Sequence, residues 1–413
     1  MFNCQKIATS AGISLYMYKH IFQNEELKES PNKILQCEQE SYKGGRCEVF
    51  KKSYSGNELY YYDINSSYPS SMCDDMPFEY QKTMKYNDKK FTNINEITKY
   101  NLYLSKSIYK GNDKYFINNL LIRNKNKNIY STKNTDYSYH WGVELIECMN
   151  NGCDIYIKEQ LFYSNKKLFS EFSKYYYNER IIEKEKGNDS KQLFYKNICN
   201  SLYGKFGQKQ FNNKKIIENN NEIYETIGKN KLINFEIIND KMLIEYEPND
   251  DNYIGKLVRF SSYISACSRT KLSEQMRYIG HEHIYYCDTD SIFTSKQINK
   301  KYISKKLGDW KLEDIISKAL FISPKCYYYE SLDQIVKKSK GIKSDELTNT
   351  DYIECHINNK NIKQNCIRFN RSFNGITITE NEINLKSIYN KRKFINDTIS
   401  EAYENMEELE KTF

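Results

Sequence analysis

Tyr286-Cys287-Asp288-Thr289-Asp290-Ser291 sets two carboxylates two residues apart, between the apolar pairs Ile284-Tyr285 and Ile292-Phe293. The pattern predicts a tight β-hairpin with both acids at its tip. Such a tip suits a hard divalent cation, because Mg²⁺ takes oxygen ligands in octahedral geometry. An isolated Asp-x-Asp turn is more often a solvated surface turn, so its meaning depends on what else the chain carries.

Two further stretches matter. Tyr61-Tyr62-Asp63-Ile64-Asn65-Ser66-Ser67-Tyr68-Pro69-Ser70 reads as a buried aromatic strand that ends at an acid and turns through small residues into a helix, with Pro69 suited to a first helical position. An acid at a strand end beside a helix start can hold a cation while free backbone N–H groups face phosphate oxygens. The alternative is a strand-ending Asp that caps a turn. In Lys196-Asn197-Ile198-Cys199-Asn200-Ser201-Leu202-Tyr203-Gly204, the spacing of Lys196, Asn200 and Tyr203 puts them on one helix face, with Phe194, Ile198 and Leu202 opposite and directed inward. The face offers a cation, an amide and an aromatic ring. An ordinary amphipathic helix with a solvated polar face is the competing reading.

In this order the three stretches resemble motifs A, B and C of the family B DNA polymerases: Asp-x-x-Ser-Leu-Tyr-Pro-Ser, Lys-x-x-x-Asn-Ser-x-Tyr-Gly and Tyr-x-Asp-Thr-Asp-Ser. Motif A departs at Ser67, where the family usually has Leu. Tyr42-Lys43-Gly44-Gly45 resembles the Tyr-x-Gly-Gly loop of the protein-primed branch, found in phages, adenoviruses and linear plasmids. The paired glycines permit positive φ and close backbone approach. Leu307-Gly308-Asp309-Trp310-Lys311-Leu312-Glu313, Lys325-Cys326-Tyr327, and Lys338 with Lys340-Gly341 resemble that branch's downstream elements.

The resemblance implies an α+β right-hand polymerase fold: a palm with an antiparallel sheet, helical fingers, a thumb, and two insertions of the protein-primed type. Residues 1–41 are expected as a remnant of the exonuclease domain and linker, and 42–76 as palm with motif A. The first insertion and further palm take 77–170, and the fingers with motif B take 171–206. The second insertion, β-hairpin-like or a disordered Asn-rich loop, takes 207–255; the palm with motif C takes 256–330 and the thumb 331–413. Strand pieces are expected around Asn128-Ile129-Tyr130 and Cys153–Ile157, and a charged helical tail over 387–413. The family's exonuclease acids lie upstream of Tyr-x-Gly-Gly. Before Tyr42 the chain has Glu25, Glu26, Glu29, Glu38 and Glu40 and no Asp, so the expectation is a solvated linker and no proofreading.

The roles implied are as follows. Asp63 and Asp290, with the Ile64 carbonyl, hold two Mg²⁺ ions (Mn²⁺ as a substitute) about 3.5–4 Å apart, and Asp288 is an accessory carboxylate. Lys196 pairs with the triphosphate of a dNTP. Tyr68 excludes a ribose 2′-hydroxyl, and Asn200, Tyr203 and Gly204 line the base-pair pocket. Tyr42, Gly44, Gly45, Lys325, Tyr327 and Lys338 contact a DNA primer-template, and a terminal protein supplies the primer. Extension of a primer 3′-hydroxyl in the replication of a linear plasmid, viral or mitochondrial element is the leading reading; an inactive DNA-binding remnant is the alternative. A reverse transcriptase would have adjacent aspartates in place of Asp288-Thr289-Asp290.

Composition agrees with this. The chain has 413 residues, enough for several subdomains, and a net charge of +8, which favours a polyanionic partner. No apolar run of membrane-spanning length and no signal-peptide pattern occurs, so no membrane association is expected. Twelve cysteines without CxxC pairs read as reduced thiols of an intracellular protein, not secreted; the mitochondrial or cytoplasmic expectation comes from the coding bias that follows. Abundant Tyr, Lys, Asn and Ile point to an AT-rich gene.

Overall fold

The structure, a computed structural model, describes residues 9–411 apart from 92–101, 112–117, 125–126, 209–212, 218–219, 239–240, 249–256, 342, 359–361, 373–374 and 386–390. The first eight residues, parts of the second insertion and the start of the expected tail thus lie outside the described residues.

Seven strands form the central sheet: β1 (Cys47–Val49), β2 (Ser53–Ile64), β3 (Ile284–Asp288), β4 (Ser291–Thr294), β5 (Trp310–Ser323), β6 (Cys326–Ser331) and β7 (Ile335–Lys338). Their order is β1-β3-β4-β2-β5-β6-β7, antiparallel throughout. The sheet continues past residue 330, where the palm was expected to end. Alternation along β2 explains its central place, because both faces are apolar. Tyr60, Tyr62 and Ile64 pack with Leu272, Met276 and Ile279, and Leu59 and Tyr61 join a layer with Tyr286, Phe293, Phe321 and Tyr329. Tyr61 stacks on Phe293 at 4.3 Å.

Four helices frame the sheet: α1 (Gly142–Asn150), α2 (Ser170–Glu185), α3 (Asp189–Phe206) and α4 (Val258–Ile279). Helix α4 is buried along nearly its whole length. Its serines, Ser261, Ser262, Ser265, Ser268 and Ser273, leave room for close neighbours. Gly280 at φ +96° ends it. Ile198 and Leu202 of α3 are buried as expected, but Phe194 is 43 % exposed, because only the second half of the helix lies against the core.

Around this frame lie smaller β-units. Strands Met76–Phe91, Asp154–Lys166, Tyr103–Lys110 and Lys133–Trp141 make a four-stranded sheet in that order. Asn213–Ile217, Asn230–Ile238 and Lys241–Pro248 make a three-stranded sheet. The hairpin expected there is present, but a helix, Asn220–Lys229, and a third strand accompany it. The helical tail is overturned: Arg392–Asn396 and Ile399–Ala402 form a hairpin, and among the described residues of the tail only Met406–Lys411 is helical. Alternate residues of the hairpin turn inward, Arg392 to Glu48 and Ser400 to the Phe50 carbonyl, which fixes the period at two. Near the N-terminus, the stretch read as a polar linker contains the helix Asn32–Ser41. Its Glu38 is buried and accepts hydrogen bonds from Ser30 (2.6 Å) and Tyr163 (3.0 Å), so it is not a solvated side chain.

Two buried ion-pair clusters tie these units together. Arg269 of α4 pairs with Glu144 of α1 at 2.7 Å, both 1 % exposed, and donates to the carbonyls of Lys43 (2.5 Å) and Gly44 (2.9 Å). Arg46 and Arg392 both pair with Glu48, at 2.7 and 3.3 Å. Removing one member of such a pair strands the other charge in the interior, at about 3–5 kcal/mol. Glu144→Ala should therefore lower unfolding stability by about that amount, measured by urea denaturation. A change below about 1 kcal/mol, the value typical of an exposed pair, would show that the pair is not enclosed.

Candidate active site

The register of the central sheet brings the two acidic motifs together. Ser291 lies opposite Asp63. The Ile64 N–H donates to the Asp290 carbonyl at 2.9 Å, and the Asp290 N–H to the Asp288 carbonyl at 2.7 Å. Asp63, Asp288 and Asp290 thus line one open cavity of about 460 Å³, with Ser66, Tyr68, Asn200, Tyr203, Lys325 and Tyr327 among its walls.

The backbone here is held in left-handed conformations without glycine. Ser66 (φ +53°), Thr289 (φ +64°) and Lys325 (φ +64°) all line the cavity. Each costs of order 1–3 kcal/mol and persists only where its surroundings enforce it. For Thr289 the enforcement is visible: its N–H donates to the Arg46 carbonyl at 2.5 Å and its hydroxyl to Asp288 at 3.0 Å. A Cβ on Gly45 would stand 2.8 Å from the Thr289 methyl and 3.1 Å from its Cα, so only glycine lets this loop close against the turn. Of the two features that the paired glycines permit, the close approach is present at Gly45, while neither glycine lies at positive φ. Gly44 is exposed, and a Cβ there would meet nothing. Tyr42 packs against Gly207, where a Cβ would come within 2.5 Å of the ring.

The carboxylates differ in their surroundings. Asp288 accepts an ion pair from Lys325 at 2.7 Å, and the Tyr286 hydroxyl receives the Lys325 N–H at 2.8 Å, fixing that turn. Burial, and then Asp290, push the Asp63 carboxyl well above the ordinary range; burial, and then Asp288, push Asp290 up as well. Lys196 opposes both shifts from a distance. Two half-buried acids, neither engaged in an ion pair, have the donor chemistry that Mg²⁺ prefers. Among the described residues no three His, Cys, Asp or Glu side chains converge as a metal cage.

On the opposite wall the Tyr68 and Tyr203 rings stack at 4.0 Å and 25°. Lys196 is exposed one turn before Asn200, and Gly204 faces open space. Pro69 is the third residue of the helix Ser67–Ser71, not the first. Tyr327 lies opposite Lys338 on β7, which does not itself line the cavity. Reading the sequence missed Arg180 of α2, which donates to the Ser66 hydroxyl at 2.9 Å. It also missed the Arg269–Glu144 pair, whose members are 125 residues apart, so no local pattern could reveal it.

A family model described as DNA polymerase type B, organellar and viral, matches residues 1–307. A protein of Agaricus bitorquis named "Probable DNA polymerase" is 25 % identical over a 438-residue alignment that covers 93 % of this chain and 52 % of that protein. The DNA-directed DNA polymerase of Enterobacteria phage PRD1 is 27 % identical, over 73 % of this chain and 51 % of its own length. The chain spans about half or less of the curated relatives it matches. Phi29 DNA polymerase complexed with single-stranded DNA superposes with a TM-score of 0.65 at 19 % identity, covering 92 % of this chain and 67 % of that one. Its ternary complex with primer-template DNA and incoming nucleotides gives 0.64. The fold is therefore the α+β right-hand polymerase fold.

The raised Asp63 carboxyl has a consequence for the metal-free protein. A carboxyl whose folded pKa exceeds its unfolded value loses stability as pH rises from about 4 through the folded value. Asp63→Asn should thus stabilise the metal-free protein at pH 8, by about 1 kcal/mol or more, with the gain vanishing towards pH 4. Urea midpoints at the two pH values measure this. A variant less stable than wild type at pH 8 would contradict it.

Proposed function

The chain belongs to the type B DNA polymerases of organelles and viruses, and from that premise we propose that it extends a DNA primer 3′-hydroxyl with dNTPs on a DNA template. The observation that carries the reading is the pairing of β2 with β4, which sets Asp63 and Asp290 side by side in a cavity walled by Tyr68, Asn200 and Tyr203.

Asp63 and Asp290 are the residues that would hold Mg²⁺, with the Ile64 carbonyl beside them. Bound there, two such ions would activate the primer hydroxyl and stabilise the charge developing on pyrophosphate. The chain's own residues do the rest. Lys325 neutralises Asp288, leaving Asp63 and Asp290 as the carboxylates without an ion-pair partner at the sheet ends. Lys196, exposed on α3, offers a point charge to the triphosphate. Tyr68, braced on Tyr203, forms the floor on which the sugar rests and leaves no room for a 2′-hydroxyl. Asn200, Tyr203 and Gly204 border the nascent base pair. Tyr42, Gly44, Gly45, Lys325, Tyr327 and Lys338 lie along the course proposed for primer and template. A terminal protein as primer, and replication of a linear plasmid, viral or mitochondrial element inside the cell, complete the proposal. Among the described residues no helix is long and apolar enough to cross a membrane.

Removing a metal-holding carboxylate should eliminate several kcal/mol of transition-state stabilisation. Asp63→Asn and Asp290→Asn should each cut Mg²⁺-dependent primer extension by roughly a thousandfold, while DNA binding in a mobility-shift assay persists. Extension at the wild-type rate in either variant would refute the assignment.

Tyr68→Val should lower the ratio of dNTP to rNTP incorporation efficiency by tenfold or more, because replacing the ring by a small isopropyl group opens the sugar floor. It should also cost about 0.5–1.5 kcal/mol of stability through the lost stacking on Tyr203. An unchanged ratio in a variant that still incorporates dNTPs would remove Tyr68 from this role.

A further inference from the structure

The turn between Asp63 and Tyr68 is held residue by residue, each by a different part of the fold. Asn65 is gripped by the segment before β5. Its N–H donates to the Asp309 carbonyl at 2.9 Å, its carbonyl accepts the Gly308 N–H at 2.8 Å, and its side-chain amide donates to the Ser304 carbonyl at 2.7 Å. Ser67 is tied to α4, its hydroxyl standing 2.8 Å from that of Ser268. Ser66, between them, is tied to α2: its hydroxyl accepts a hydrogen bond from Nη1 of Arg180 at 2.9 Å.

Ser66 is also the strained member of the three. It lies at φ +53° and ψ +64°, in the left-handed region, and its side chain does not cap the helix Ser67–Ser71 that follows. A residue other than glycine keeps such a conformation only where its surroundings compensate for it. Its carbonyl accepts the Ser70 N–H at 2.9 Å, as at an ordinary helix start. What remains to hold the side chain is the Arg180 guanidinium, and a hydrogen bond from a charged donor is of the stronger kind.

Arg180 is otherwise uncommitted. Its Nε is buried without a partner, and among the described residues the Ser66 hydroxyl is its hydrogen-bond acceptor. Three residues earlier on α2, the buried Tyr177 donates its hydroxyl to the Lys305 carbonyl at 2.7 Å, beside the Ser304 that grips Asn65. Tyr177 and Arg180, at i and i+3, thus seat one face of α2 on the turn. Ser66 stands three residues after Asp63 and two before Tyr68, and all three line the 460 Å³ cavity. The conformation of Ser66 therefore sets how the Tyr68 ring stands relative to the Asp63 carboxylate.

We propose that Arg180 is a positioning residue of the nucleotide site: through the Ser66 hydroxyl it keeps the turn left-handed and so sets Tyr68 against Asp63, without itself touching the nucleotide. The placement of α2 is thereby read directly at the turn. The inference rests on the polymerase reading of the cavity and adds to it the device that keeps its floor in place.

The test uses glycine, which takes positive φ without the cost that serine carries. Arg180→Ala and Ser66→Ala should each raise the KM for dNTP in primer extension roughly tenfold, and together no more than either alone, because both break the same bond. Ser66→Gly added to Arg180→Ala should bring the KM back by about threefold or more, because the turn then needs no external hold. A merely structural loss would reduce the active fraction, lowering kcat and leaving KM where it was. An Arg180 that met the nucleotide directly would gain nothing from Ser66→Gly. Urea midpoints make the same comparison without catalysis: Ser66→Gly should raise the midpoint in the Arg180→Ala background and lower it in the wild type, where it breaks the bond. A wild-type chain that fails to extend primers would remove the polymerase reading, and the urea comparison would then decide alone whether Arg180 holds Ser66. No recovery of KM in a protein that does extend primers, or a midpoint change of the same sign in both backgrounds, would overturn the proposal.

Discussion

The pairing of β2 with β4 is the constraint on which the rest of the structure turns. The pairing runs from Thr294 opposite Tyr60 to Ser291 opposite Asp63, and the Ile64 N–H bond to the Asp290 carbonyl continues it into the turn. A slip of one residue would send Asp63 to the face packed against α4 and every aromatic of β2 to the wrong layer. In the correct register two half-buried carboxylates stand beside each other with no cation to separate them, which by itself destabilises the fold. Large apolar layers on both sides of β2 hold the register against that repulsion. The sheet is thus stable enough to carry an unfavourable electrostatic arrangement at its end, and that arrangement is the one we propose attracts a divalent ion.

Around the carboxylates the backbone is strained and the bracing is charged. Thr289 keeps its left-handed conformation because Arg46 receives its N–H and Gly45 lies against it. Gly44 and Lys43 are in turn held by Arg269, whose charge is met by Glu144. Arg46 is met by Glu48, which also receives Arg392 from the C-terminal hairpin. Buried pairs of this kind add little net stability, but they are costly to break. Here they join α1, the Gly-Gly loop, α4, β1 and the C-terminal hairpin to the back of one hairpin tip. Distant segments therefore share in placing Asp288 and Asp290.

Much of this was legible in the sequence where chemistry and period are local. Asp63, Asp288 and Asp290 sit at strand ends because their flanks are apolar and aromatic, and the spacing of Lys196, Asn200 and Tyr203 set one face of α3. What escaped reading was long-range or compensated. The tail over 387–413 is charged, which reads as a solvated helix, yet Arg392 is buried because Glu48 awaits it far along the chain. Glu38 read as a linker residue for the same reason, its partners Ser30 and Tyr163 being supplied by the fold. The left-handed Ser66, Thr289 and Lys325 had no glycine to announce them. Phe194 read as a core residue from its period alone, but a helix that projects from the body buries only the half that touches it.

The central claim is that Asp63 and Asp290 together form the divalent-ion site of this fold. Electron paramagnetic titration of the full chain with Mn²⁺, in the presence of primer-template and a non-hydrolysable dNTP, addresses it without depending on turnover. Tight Mn²⁺ binding in the wild type, weakened at least tenfold by Asp63→Asn and by Asp290→Asn alike, is the expected result. Mn²⁺ affinity unchanged in both variants would contradict the account.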